Sequence, residues 1–375
     1  KEIFERWPMQ FLGVRALFRI LKRGDFLATK DISRYYNRLL ASHRLREFQC
    51  FQDPATYAAD KRSNDAKIKR GEAKFLQQTT CMFGHPQLPA YASCVSSEIA
   101  RIVHNEGVRV AGIMIDDFLF HGPKERGKEQ FEKELRRAEK IFQGLQVPTN
   151  DKGHPPTTAL TFSGLAIDTL LGKVDIDEEQ RVYMITRIED ILENDHVDDA
   201  TLQSINGSFG WYCYVVYEGR CRRDTFFKAA RSGNKKHAIT KPMRAQFKWW
   251  LSTLRGKRYR PSKIWFRDEQ QPYSTIHTDA AGEEGFGFCA AGLHVSGMWR
   301  ASLAPFIVND MFVKELLPIT IAVLLLSPLF SQHIFCPTVD NSGVVFRLNC
   351  GSCKNPIGLV LMKVMSRALA MHDNH

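Results

Sequence analysis

The run V-R-V-A-G-I-M-I-D-D-F-L-F-H-G at 108–122 constrains the fold of this chain more than any other stretch. Alternating apolar residues on both sides of Asp116 and Asp117 predict a hairpin, with Val108, Val110 and Met114 on one face of its first strand and Ile113 and Ile115 on the other. Two adjacent carboxylates between apolar runs cannot be ordinary core groups, because a buried charge needs a partner or a metal. Neighbouring side chains on a strand point to opposite faces, so one carboxylate reaches an ion more directly. Asp116 is the expected main ligand and Asp117 its helper. A solvated turn with two capping carboxylates is the plainer alternative, and a third carboxylate is needed to decide.

Upstream, G-D-F-L-A-T-K-D-I-S-R-Y-Y places Phe26, Leu27, Ala28 and Ile32 on a predicted strand that ends near Asp31. A strand-end acid suits one ligand of a two-metal site, and an aromatic, Tyr36, follows five residues later. Near the C-terminus a second set appears. Asp279 ends the alternating strand S-T-I-H-T-D, Glu315 stands in F-V-K-E-L-L, and Asp340 follows an apolar strand in P-T-V-D-N-S-G. Two strand-end acids and one helical acid can converge on two metal ions about 4 Å apart. Singly, each has a bland reading: a turn residue, a solvated helix residue and a helix N-cap.

With 375 residues the chain has room for two or three domains, and its 44% hydrophobic and 25% charged content is that of a globular protein. A net charge of +11 favours a polyanionic partner. Arginines cluster with aromatics at 204–223, where Arg220, Arg222 and Arg223 are the expected phosphate contacts, while Trp211, Tyr212, Tyr214 and Tyr217 read as core. Nine cysteines without a framework suggest reduced thiols and an intracellular protein, in cytoplasm or nucleus. Cys350-x-x-Cys353 followed by His372 and His375 raises zinc, although the gap is longer than a small finger uses. The apolar run 316–330 is about 15 residues, short of the about 20 that span a bilayer, and reads as a buried helix rather than a membrane segment. Amphipathic helices are expected over 127–145, with Phe131, Leu135, Ala138, Phe142 and Leu145 inward and a solvated charged face, and after Asp177, with Val182, Ile185, Ile188 and Leu192 inward.

These motifs, in this order, resemble those of reverse transcriptases. Asp31 with Tyr36 is similar to the family's first motif, M-F-G-H-P-Q-L-P with Phe83, Gly84 and Pro89 to the second, and M-I-D-D to Y-x-D-D. Lys152 in T-N-D-K is similar to the fourth, and L-T-F-S-G-L-A-I-D-T at 160–169 to the hairpin that holds the primer end. The Asp279, Glu315 and Asp340 motifs are similar to ribonuclease H. The domain order and the phrase V-V-Y-E-G-R look most like retroelements of the DIRS group with tyrosine recombinases.

The resemblance implies an α+β chain with fingers and palm over 1–170, a helical thumb and connection over 171–265, and an α/β ribonuclease H-like domain over 272–375. Both the fingertips and the nuclease are expected to be truncated. It also implies Mg2+ or Mn2+ as cofactor, and an RNA template, a DNA primer, an RNA/DNA hybrid and dNTPs as partners. Asp31, Asp116, Asp117, Asp279, Glu315 and Asp340 would be catalytic metal ligands. Tyr36 would exclude the ribose 2'-hydroxyl, Phe83 and Gly84 would line the template-base pocket, and Lys152 would protonate the leaving pyrophosphate. Three features depart from the family pattern: Met114 stands at the usual Tyr position, the charged segment between Phe51 and Met82 is long, and Pro318 falls inside the helix of Glu315. A domesticated, catalytically inactive fragment that binds nucleic acid through its basic surface is the competing expectation.

Overall fold

The computed structural model describes residues 20–41, 46, 50–53, 61–71, 74–77, 79–81, 88–150, 153–256, 273–300, 310–330 and 333–372. Internal contacts divide the chain into two compact units, 1–163 and 164–375.

In the first unit β1 (Phe26–Asp31) opens a small antiparallel sheet, and β2 (Cys50–Gln52) and β3 (Phe75–Gln77) pair apart from it. The helix Leu88–Asn105 leads into β4 (Val110–Met114) and β5 (Asp117–Gly122), and the sheet runs in the order β1-β5-β4. The helix Lys128–Gly144 then packs Phe131, Ala138 and Phe142 into a core with Phe118, Phe120, Val103 and Ile32. Gly122 is required here, because a Cβ on it would sit 2.4 Å from the Phe131 ring. The unit ends with β6 (Ala159–Phe162).

Two details of this unit differ from the sequence reading. A register shift between Val110 and Gly112 breaks the alternation, so Val110 and Ile113 pack against the same core instead of lying on opposite faces. The Lys128–Gly144 helix does not keep all of its charges in solvent. Glu134 is buried, with Arg126 3.3 Å away, while Leu145 at the helix end is exposed.

The second unit begins with the hairpin of β7 (Leu165–Asp168) and β8 (Lys173–Ile176). Asp177 caps the helix Glu178–Asn194, accepting from the Gln180 amide. That helix turns Met184, Ile188 and Ile191 inward and leaves Val182 exposed, so its buried stripe is rotated from the one expected. After β9 (His196–Asp198), the helices Asp199–Tyr212, Asp224–Ala230 and Lys241–Leu254 close a core of Phe209, Phe226, Phe247 and Trp250, and β10 (Lys236–Ala238) pairs with β9. The Phe209 and Trp250 rings stack with centroids 4.2 Å apart.

A separate core follows in the same unit. Strands β11 (Tyr273–Ala280), β12 (Gly285–Ala290) and β13 (Leu293–Met298) form an antiparallel meander, and β14 (Ile334–Thr338) joins the other edge of β11 in parallel, giving the order β13-β12-β11-β14. The parallel pair needs a crossover, and the helix Met311–Leu326 supplies it, burying Leu316, Ile319, Ala322, Val323 and Leu326 with Ile276 and Phe288. With the 3-10 turn to Leu329 it is 19 residues and, by length and composition, apolar enough to cross a membrane. This is longer than the sequence run suggested. Sixty-one per cent of its apolar window is buried against the rest of the protein. Pro318 lies inside it, three residues after Glu315, and removes one i to i−4 hydrogen bond. The helices Ser342–Cys350 and Pro356–Met371 complete the layer.

Candidate active sites

The antiparallel register of β1 and β5 sets Asp31 directly opposite Asp117. Direct partners in an antiparallel pair project to the same face about 5 Å apart at Cα, so both carboxylates rise from one spot at the sheet end. Met114 pairs with Asp117 across a two-residue turn made of Ile115 and Asp116. Ile115 adopts φ 59°, whereas Asp116 does not enter the left-handed region. That sequence of signs is a type II' turn, which normally carries Gly at its first central position. A β-branched side chain there is strained. The Asp116 carbonyl accepts from the Ile32 amide at 3.0 Å, which joins the turn to the end of β1.

The three carboxylates act electrostatically on one another. Burial and then Asp31 and Asp116 push Asp117 up to about 6. Burial, with a further push from Asp31, raises Asp116. Tyr36 is close enough to Asp116 for that charge to add to burial in raising its phenol, and Tyr35 is pushed up to about 12 by burial, with Asp116 contributing. The structure thus brings Asp31, Asp116, Asp117 and Tyr36 together.

Two residues at this site were not singled out in the sequence. Asn150 donates from Nδ2 to an Asp31 carboxylate oxygen, and its amide donates to the Asp31 carbonyl at 3.0 Å. It belongs to a segment that runs along the free edge of β1, with Thr149 bridging Ile32 and Thr157 bridging Leu27. Gly153 in that segment has no room for a Cβ, which would lie 2.3 Å from the Thr29 carbonyl. The second residue is Ser96, buried on the Leu88–Asn105 helix, which donates to the Ile115 carbonyl. Lys152, Phe83 and Gly84 lie outside the described residues.

The second cluster forms around Glu315. Its side chain is 3% exposed, and Oε2 has no hydrogen-bond partner among the described residues. Burial first, then Asp340 and Asp279, push it up to about 7. Asp279 lies in β11 opposite Gly287 and accepts from the Ala280 amide at 2.8 Å. Asp340 is exposed just past β14, and the capping of the following helix falls to Asn341, which accepts from the Gly343 and Val344 amides. Asp340 is therefore not the N-cap that its position suggested, and Glu315 is not a solvated helix residue. The turn after Asp279 is held by buried Lys314, which donates to the Gly282 carbonyl, and by the Trp299 indole, which donates to the Ala281 carbonyl at 2.8 Å.

The arginines expected on phosphate have partners inside the second unit. Arg222 pairs with Glu218 and lies over the Trp249 ring, 4.9 Å from its centroid. Arg223 donates to the Asn206 side chain and carbonyl and covers Phe227. Arg220 packs against Gly351. These contacts engage each arginine with its own unit. Cys353 is buried and donates to the Asn355 carbonyl, whereas Cys350 is exposed.

Among the described residues no three His, Cys, Asp or Glu side chains are arranged as ligands of one ion. The donor sets still suit a hard divalent cation. Both are all-carboxylate, both carry mutual repulsion that a cation would relieve, and the second contains the orphaned buried Glu315 oxygen.

The molecule is a mixed α/β protein with two separate groups of strand-end and helical carboxylates. No family model matches its sequence, and no curated protein does. It is similar to solved structures of the foamy viral protease-reverse transcriptase. The complex with RNA/DNA hybrid matches at TM-score 0.48 and 13% identity, over 94% of this chain and 44% of that one. The complex with dsDNA matches at 0.48 and 13%, over 92% and 65%. The dRH form with dsDNA matches at 0.49 and 12%, over 95% and 58%. The chain thus spans 44% to 65% of the length of these neighbours.

Proposed function

We propose that this chain is an RNA-directed DNA polymerase of retroelement type, with a second, ribonuclease H-like site. The observation that carries the reading is the placement of Asp31 opposite Asp117, with Asp116 in the turn beside them and all three coupled by charge. The assignment to a DIRS-type element rests on sequence phrases and domain order alone.

Asp31 and Asp116, assisted by Asp117, would hold two Mg2+ or Mn2+ ions. Bound there, the metals supply the positive charge that makes a primer 3'-hydroxyl nucleophilic and steadies a departing pyrophosphate. Asn150 fixes the orientation of Asp31 through its amide. Tyr36 stands beside Asp116, where its ring narrows the space for a nucleotide sugar and disfavours one carrying a 2'-hydroxyl. In the other cluster Glu315, Asp279 and Asp340 would bind the metals for cutting the RNA strand of a hybrid. There burial and its two acidic neighbours favour the protonated Glu315, and a bound cation would supply the charge that holds it ionised.

Mg2+-dependent extension of a DNA primer on an RNA template tests the reading, with Asp116→Asn beside the wild type. Extension that the substitution abolishes is the expected result. Tight binding of the template-primer without any extension would instead favour the inactive nucleic-acid-binding fragment.

A further inference from the structure

The β4–β5 turn contains a backbone arrangement that its own sequence does not favour. Type II' and type I' turns both fit a two-residue hairpin, and they differ by a flip of the central peptide, here the one joining Ile115 to Asp116. Asp tolerates the left-handed region that type I' demands at the second position, and Ile115 at φ 59° is strained in either form. Local preference therefore leaves this peptide free to take two orientations. Flipping it turns over the Asp116 N–H, which in the present turn donates to that residue's own carboxylate, and so removes the donor that orients it.

One side chain holds the central carbonyl in place. Ser96 is fully buried at 0% exposure, and its hydroxyl donates to the Ile115 carbonyl, the oxygen that a flip would turn away. Ser96 Oγ is also 2.8 Å from the hydroxyl of buried Tyr35, which donates to the Ala92 carbonyl at 2.8 Å. Tyr35 thus ties the segment after Asp31 to the Leu88–Asn105 helix beside Ser96, and the single Ser96 hydroxyl proton is left for the Ile115 carbonyl. The Asp116 carbonyl, held by the Ile32 amide, does not move with the central peptide and cannot substitute for this bond.

We propose that Ser96 is a positioning residue for the polymerase-type site: by holding the Ile115 carbonyl it selects the type II' turn and so keeps the Asp116 N–H on its own carboxylate, orienting that carboxylate in the site it shares with Asp31. The inference rests on the reading of Asp31, Asp116 and Asp117 as a divalent-cation site. It assigns Ser96 no contact with substrate or metal.

The test is Mn2+ binding to the full chain without nucleic acid, followed by electron paramagnetic resonance, with thermal unfolding of each variant alongside. Asp116→Asn identifies the binding that belongs to this site. Ser96→Ala is expected to weaken that binding by roughly tenfold while the protein stays folded at the assay temperature. Ser93→Ala serves as control, since its hydroxyl donates to the Pro89 carbonyl of its own helix, and it should leave binding unchanged. Ile115→Gly in the Ser96→Ala background should restore most of the affinity, because Gly at the first central position favours type II' without help. A purely structural role for Ser96 would lower the unfolding temperature with no change in Mn2+ affinity and no rescue by Gly, and that result overturns the proposal. If Ser96→Ala does not fold, Ser96→Cys keeps the volume with a weaker donor; intermediate affinity supports the proposal, and wild-type affinity overturns it. Wild-type protein with no Asp116-dependent Mn2+ binding overturns the metal-site reading itself, an outcome separate from loss of the Ser96 effect alone.

Discussion

The two carboxylate clusters solve one electrostatic problem with different parts of a fold. In the first, the backbone ladder does the placing: Asp31 and Asp117 are register partners and Asp116 is one residue away, so three like charges are held close by main-chain hydrogen bonds. In the second, side-chain packing does it, because Glu315 reaches Asp279 and Asp340 only through the seating of the Met311–Leu326 helix on the sheet. The repulsion is distributed accordingly. Burial first, with that repulsion added to it, raises both Asp116 and Asp117 in the first cluster and Glu315 in the second. A ladder tolerates several half-buried charges, whereas a packed helix face concentrates the desolvation cost in one group.

The sharpest way to break this comparison is to disable each cluster and assay both reactions. Asp116→Asn should lower primer extension on the order of a thousandfold and leave cleavage of hybrid RNA intact, and Glu315→Gln should do the converse. A substitution that abolished both reactions would show that the clusters do not work separately. Tyr36→Ala is expected to raise ribonucleotide incorporation relative to deoxynucleotide by roughly tenfold or more in competing-substrate extension, with no effect on the nuclease.

Stability against pH sharpens the contrast further. Asp117 at about 6 and Glu315 at about 7 both bind their protons more tightly in the folded protein than in the unfolded chain, whose values are 3.8 and 4.5. Each therefore costs no stability below its unfolded value, and each removes stability as pH rises through its folded value. Thermal unfolding without metal should show Asp117→Asn more stable than wild type above about pH 6, with the gain gone below about pH 4. Glu315→Gln should show its gain over a window shifted upward, complete above about pH 7. Mg2+ should narrow both gains by stabilising the wild type. Coincident windows for the two variants would contradict the concentration of charge cost on Glu315. The smallest expected effect is that of Asn150→Ala, which removes one charge-assisted hydrogen bond from Asp31 and should cost about 1 kcal/mol in chemical denaturation.

Much of this was legible in the residues. Alternation around Asp116 and Asp117 announced the hairpin, and the apolar run before Asp31 announced a strand that the structure ends at that residue. The helix Lys128–Gly144 follows its periodicity because Phe131, Ala138 and Phe142 are the residues it has to bury. Other features were hidden because their causes are distant in sequence. The bulge at Val110 to Gly112 moves Ile113 to the face of Val110, and a pattern of alternation cannot announce its own interruption. Glu134 read as a solvated helix charge, and only the elements packed over it make it buried. An arginine pattern likewise does not reveal Glu218 and Asn206 as partners of Arg222 and Arg223.

What the sequence by itself determined is local: the periods of the strands and helices, the strand-end positions of Asp31 and Asp117, and the supply of carboxylates. The tertiary structure decided which charges meet and at what cost. Antiparallel register joined Asp31 to Asp117 across more than eighty intervening residues, and the seating of one helix left Glu315 dry between two acids. The choice of turn at Ile115 also belongs to the tertiary structure, since neither Ile nor Asp favours type II' and the buried hydroxyl that meets its carbonyl comes from a separate helix.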